Sequence, residues 1–183
     1  MKTNKIKIIQ FMCHLEMGGA EKLVTDYALL LNKDKFEVLV ICLSTKLDTF
    51  NEKILEDNKI KVIYLGDKIN CKNTITRKIS KCLWIYKSIN IIQPHIIHSH
   101  LNVTYALIFV NAKKIKMFHT IHSEINAYFK KDKLYKWSLK YLIKYKNTTL
   151  IALHQRMAEE AKALFNTKNY IVLRNGIDLS KFQ

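Results

Sequence analysis

The sequence predicts an α/β protein, a doubly wound, mainly parallel sheet of about seven strands with helices on both faces. Three observations predict it. Short apolar runs rich in Ile and Val recur along the chain and alternate with longer stretches at helical spacing. The first run, with Ile6, Ile8, Ile9, Phe11 and Met12, has no polar side, as in a strand buried on both faces. It leads through residues 13–17 into Gly18 and Gly19, two of only four glycines in the chain, and then into a helix. Paired glycine between strand and helix lets a ligand come close to the backbone, and the helix N-terminus behind it offers N–H groups to an anion. The loop carries neither GxGxxG nor GxxxxGK[ST], so it is not one of the common nucleotide fingerprints.

The elements follow in order. Ala20, Leu23, Val24, Tyr27, Leu30 and Leu31 lie on one helical face. Residues 36–43 (FEVLVICL) and 61–65 (KVIYL) read as strands, with a polar helix over 48–58 between them. A long helix covers 74–92 and is stopped by Pro94. Ile75, Ile79, Cys82, Leu83, Tyr86 and Ile89 share one face of it. Arg77, Lys81, Trp84 and Ser88 are expected opposite, which puts a tryptophan outward. Strands are expected at 95–100 (HIIHSH), 115–121 (IKMFHTI), 148–153 (TTLIAL) and 170–173 (YIVL). Helices are expected at 102–111, 131–146 and 155–165. There is no internal repeat.

Composition narrows the function classes. A chain of 183 residues with 49% hydrophobic content suits one domain with a sizeable core. No apolar run approaches the roughly 20 residues of a membrane span. Residues 1–4 lack the apolar segment of a signal peptide. Cys13, Cys42, Cys71 and Cys82 form no CxxC pair, which suits a reduced, cytoplasmic setting. Lys plus Arg total 31 against 15 acids, a net +16. Such charge concerns partners more than fold, and the candidates are nucleic acid, anionic lipid or a phosphorylated substrate. No recognition helix, RNA-binding signature or zinc module appears, so nucleic acid ranks last.

Four motifs stand in order at strand ends: GGAEK after the first strand, PHIIHSH, HTIHSE and a terminal LRNGIDLSKF. Together, and over essentially the whole chain, they resemble the N-terminal domain of retaining family-4 glycosyltransferases of the GT-B fold. The resemblance implies a Rossmann-like domain, one half of a GT-B pair, that mainly binds the acceptor. It implies a second domain for the nucleotide-sugar donor, and no cofactor or metal. Residues 1–183 are expected to be that single acceptor-side domain, with the donor-binding domain absent and no turnover by the chain alone. The implied reaction transfers a sugar to a glycan or lipid-linked acceptor in surface polysaccharide synthesis. Retention follows from stabilising the leaving diphosphate rather than from a positioned base. The alternative is a non-catalytic, membrane-docking or acceptor-binding subunit of a split enzyme.

Carried onto this sequence, the resemblance makes His122 the candidate catalytic residue, close to the transferred sugar. Gly18 and Gly19 match the loop that approaches the donor phosphates and acceptor. Asn175, Gly176 and Asp178 match the entry to the interdomain linker. An imidazole can donate a hydrogen bond where charge develops on a hydroxyl or a diphosphate oxygen. His119, three residues before His122, points to the other face and is expected to be structural. His100 is expected to line the cleft, with His98 packed behind it. Ser123 and Glu124 are placed to reach acceptor hydroxyls. His98 and His100 share a face, but no third ligand stands at metal spacing. Glu21 suits the positive end of the first helix.

The most basic stretch is 126–146. Lys133, Lys136, Lys140 and Lys144 form a stripe, flanked by Trp137 and Ile143, with Tyr141 and Tyr145 further round. It reads either as a solvated face or as a contact with an anionic bilayer. In the second reading the protein sits peripherally on the inner face of the membrane.

Overall fold

In the computed structural model, residues 5–123, 129, 132–174 and 176 are described. Glu124, Asn175 and Asp178 lie outside the described residues.

The described residues form a seven-stranded sheet in the order β3-β2-β1-β4-β5-β6-β7. The strands are β1 Ile6–Met12, β2 Phe36–Cys42, β3 Lys61–Tyr64, β4 Ile96–His100, β5 Lys116–Ile121, β6 Thr149–Ala152 and β7 Tyr170–Val172. Every pairing is parallel. β1 pairs with β2 on one side and β4 on the other, which explains its lack of a polar side. The strand order reverses between β1 and β4, so the crevice for ligands opens at their carboxyl ends.

The helices are α1 Gly19–Leu30, α2 Phe50–Asp57, α3 Thr74–Ile92, α4 Lys133–Lys146 and α5 Gln155–Phe165, with a 3-10 helix at Leu101–Leu107. On one face Val24 and Ala28 of α1 and Leu55 of α2 pack on Met12, Val40 and Cys42. On the other, Ile85 and Ile89 of α3, Val103 and Leu107 of the 3-10 helix and Leu142 of α4 cover Ile9, Phe11, Ile41 and Ile97. Leu139 of α4 and Met157, Ala158 and Ala161 of α5 extend that layer over Leu150 and Ala152. Each of the larger side chains among them, Val, Leu, Ile, Met or Phe, contributes roughly 1.5–3 kcal/mol by leaving water.

Two expectations are corrected here. The apolar helix expected at 102–111 is a 3-10 helix that begins at Leu101 and is kinked at Asn102. α3 is also rotated from its sequence wheel. Cys82, Ile85 and Ile89 are buried and Trp84 packs against the core. Ile75, Ile79, Leu83 and Tyr86 are left 69, 52, 50 and 41% exposed. The wheel counted apolar residues. Burial follows the side that packs on the core cluster, where Cys82, Ile85 and Ile89 are buried and Trp84 is partly covered.

The loop before α1 is held from outside itself. Leu15 is fully buried, and its carbonyl accepts from Thr49 Oγ1 at 2.6 Å. The Glu16 carbonyl accepts from Asn51 Nδ2 at 2.7 Å. Thr49 also caps α2 in a reciprocal box with Glu52. One helix N-terminus therefore clamps the approach to Gly18.

Candidate functional site

At the carboxyl end of the sheet a row of polar side chains crosses three adjacent strands. Gln10 of β1 and His100 of β4 are joined by a 2.9 Å hydrogen bond between Oε1 and Nε2. His100 Nδ1 lies 2.9 Å from His122 Nε2, just beyond β5. The period-2 alternation of strands sends Gln10, His98, His100 and Thr120 to the α1 face. His98 Nε2 meets Thr120 Oγ1 at 2.7 Å, and its ring tilts over His100 at 4.1 Å. His119 points to the opposite face, where it bonds Ser99 Oγ at 2.9 Å and Tyr135 Oη at 2.6 Å.

Burial holds these rings neutral. Desolvation lowers His98 to about 3, helped by the neighbouring His122, and lowers His122 to about 4. It drives His100 and His119 well below their ordinary range. Neutrality fixes the protons. The Gln10 carbonyl oxygen only accepts, so His100 Nε2 carries its proton. His100 Nδ1 then holds a lone pair and accepts from His122 Nε2–H. A neutral His122 keeps its own lone pair on Nδ1. With Gln10 placed this way, the ring offers a substrate an acceptor at Nδ1.

The expected cleft position of His100 is also corrected. The ring is fully buried behind His122, because both its nitrogens are engaged along the row. It orients His122 and touches no surface. His98 is packed, as expected. With both rings engaged in this way, neither offers a ligand set, and among the described residues no group of three or more His, Cys, Asp or Glu could hold a metal.

His122 and Ser123 line a small hollow with Leu101, Ile121, Phe129 and Tyr135. Leu101 directly follows His100 and has φ +58°. A bulky side chain rarely adopts that left-handed backbone, and such strain gathers at functional sites. Nothing in the sequence signalled it. Gln10, which fixes the row, was hidden for a similar reason, as one polar residue inside an apolar strand.

Gly18 and Gly19 are exposed and stand at the N-terminus of α1. They differ in what keeps them small. A side chain at Gly18 would collide with the carboxylate of Glu21, which is itself buried and lies 3.5 Å from His14 Nδ1. A Cβ at Gly19 would meet nothing within 4 Å, and its φ is not positive. Gly176 is exposed.

A second hollow of about 260 Å³ opens beside the row, between α3, the 3-10 helix and the start of α4. It shares Tyr135 with the hollow at His122. A larger one, about 790 Å³, lies toward the amino end of β5 and β6 around Lys113, Lys116 and Lys146, and is not lined by His100 or His122. Parallel sheets bind ligands at the carboxyl end, so the smaller pair is the relevant one.

On α4, Lys133, Lys140 and Lys144 are exposed and Lys136 is partly covered. Trp137 is 55% exposed and stacks on Tyr141, which contacts Tyr145 at 5.0 Å. Lys144 lies over Tyr145 and Lys146 over Tyr141. Among the described residues no helix is long and apolar enough to cross a membrane.

Comparison with known proteins places this geometry. No curated protein matches the sequence. A glycosyltransferase from Rickettsia africae superposes with a TM-score of 0.69 at 18% identity, over 98% of this chain and 45% of that one. Anabaena HepE, solved with UDP and glucose, gives 0.68 at 16% over 96% and 46%. The lipopolysaccharide outer core galactosyltransferase WaaB gives 0.67 at 16% over 95% and 47%. The chain thus spans less than half the length of these structures. The profile of Glycosyltransferase Family 4 matches residues 17–181, nearly the whole chain, and the protein belongs to that family as a Rossmann-like N-terminal domain of the GT-B fold.

Proposed function

We propose that this domain is the acceptor-side half of a retaining sugar transfer from a nucleotide-sugar donor to a glycan or lipid-linked acceptor of a surface polysaccharide. The observation that carries it is Gly19. Neither the chain's packing nor its backbone angle requires a glycine there, and Gly19 opens α1, the helix that follows β1. A ligand is the remaining reason for a bare backbone at a helix N-terminus.

In this reading the anomeric C–O bond to the diphosphate breaks as the acceptor oxygen bonds to the same face of the sugar. The acceptor proton passes to a leaving-group oxygen. The amide groups at Gly19 face the developing negative charge. His122, aligned by His100 and Gln10, accepts a hydrogen bond from a sugar hydroxyl through Nδ1 and positions the ring. Ser123 beside it, and Glu124, meet acceptor hydroxyls. Asn175, Gly176 and Asp178 lead toward the donor-binding domain. Neither metal nor cofactor enters the scheme; the nucleotide sugar is a co-substrate.

A second reading, an acceptor-binding and membrane-docking subunit without chemistry of its own, is favoured by the exposed aromatic ladder of α4. In both, the protein acts at the inner face of a membrane and binds no nucleic acid. The test is nucleotide-sugar turnover by the purified chain. Alone it is expected to release no nucleoside diphosphate. Turnover that is lost in His122→Ala would overturn the acceptor-half assignment.

A further inference from the structure

The 260 Å³ hollow beside the histidine row has a definite chemistry. Lys78 and Lys81, one turn apart on α3, line one wall, and Tyr105 and Asn102 of the 3-10 helix line another. Lys78 Nζ rests 5.7 Å from the Tyr105 ring centre. Lys81 is half-buried, and among the described residues no carboxylate pairs with either lysine. Burial pulls the Lys81 ammonium below its ordinary range, and the nearby Arg77 adds to this, as expected of a cation kept short of counter-charge.

The remaining groups do not neutralise it. Among the described residues Asp132 is the one acid on the lining. Its Oδ1 accepts from the Tyr135 N–H at 2.9 Å and its Oδ2 faces Asn102 Nδ2 at 3.5 Å, so its charge is committed to capping α4. The Cys13 thiol is pushed up by burial and stays protonated. Tyr105 is raised to about 12 by burial, so its hydroxyl remains a donor. The lining thus carries two cations against one carboxylate, which is engaged at the N-terminus of α4, with neutral donors between them. On the lining Leu134 is 37% exposed, and Ile75, 69% exposed, stands one turn before Lys78 on α3.

We propose that this hollow is an anion site in which Lys78 and Lys81 hold a phosphate or diphosphate ester of the acceptor, with its apolar portion running out along Ile75 and Leu134. The inference rests on the acceptor-side reading and names the chemical class of the acceptor. Tyr135 is common to this hollow and to the one at His122, so an acceptor anchored here reaches the site of transfer.

Titration of the chain with inorganic pyrophosphate, followed by calorimetry and amide NMR, tests it without any turnover. Lys81→Gln and Lys78→Gln are each expected to weaken binding about tenfold, the worth of one lost charge-assisted bond. Lys81→Arg, which keeps the charge, retains binding, and so does Lys87→Gln at the far end of α3. Circular dichroism of each variant separates lost binding from lost fold. Equal affinity in the wild type and a folded Lys81→Gln overturns the site, while leaving the acceptor-half assignment to its own turnover test. Two further arms identify the source of the phosphate. Neutral phosphatidylcholine vesicles doped with a polyprenyl diphosphate, recruiting the chain through Lys81, assign it to a lipid. Lys81-dependent binding of glucose 1-phosphate without such recruitment assigns it to a soluble acceptor. Failure of both ligands to bind overturns the site.

Discussion

At the scale of single residues the site is a problem of proton placement. His98 falls to about 3 and His122 to about 4, mainly through desolvation, against an ordinary value of 6.5. Each ring therefore takes a proton more readily in the unfolded chain. Their contribution to stability is complete above about pH 6.5 and is lost as pH falls toward the folded values, roughly a few kcal/mol for the set. The urea midpoint is expected to drop steeply between pH 6.5 and 4, and to drop less in His122→Gln. A gap between the two proteins that does not vary with pH would contradict this. Gly19→Ala separates structure from use. With room for the methyl group and a helical position that favours alanine, stability should hold or rise by up to about 1 kcal/mol. Binding of any phosphate-bearing ligand at α1 should nonetheless fall, which ligand-induced amide shifts at Gly18 and Ala20 would report. A fall in thermal midpoint would mean that the backbone there needs glycine for itself.

At the scale of elements, legibility followed chemistry that repeats. Seven strands were readable because Ile and Val runs alternate with 3.6-period helices, and β1 announced its double burial by having no polar side. The ends of the loops were readable through glycine and histidine. The orientation of α3 was not. Apolar residues lie around most of its circumference, so no wheel could choose between Leu83 and Trp84, and tertiary packing chose Trp84. The inward place of His100 was likewise invisible, because its partner Gln10 stands on a different strand. For α4 the sequence showed four lysines but not the stacking of Trp137, Tyr141 and Tyr145, which makes its surface a basic rim around an aromatic ladder. Such a surface suits the headgroup layer, at about 1 kcal/mol for each basic residue near it. Co-sedimentation with anionic vesicles should therefore weaken steeply with salt, and Lys140→Glu with Lys144→Glu should remove most of it from a folded protein. Equal binding to neutral and anionic vesicles would reduce α4 to a solvated face.

At the scale of the molecule, β1 and β4 are neighbours in space, yet Gln10 and His100 are 90 residues apart in the chain. The β1–β3 half and the β4–β7 half each hold only part of the polar row, and the Gln10–His100 bond closes across the seam. Joining partners so distant is slow, since loop closure precedes any compensating contact. The row thus works as a clasp between two half-sheets and reports when they have met. Cleavage in the exposed segment 67–73 should give two pieces that reassociate along the β1–β4 seam. The His122 Nε2 proton, observed by nitrogen NMR, should appear only on mixing. Its appearance in the C-terminal piece alone would show that His100 and His122 hold their arrangement without Gln10. The clasp also ties the site to folding history: if His122 serves transfer as proposed, its ring gains the full chain of partners that sets its tautomer only once β1 and β4 have paired.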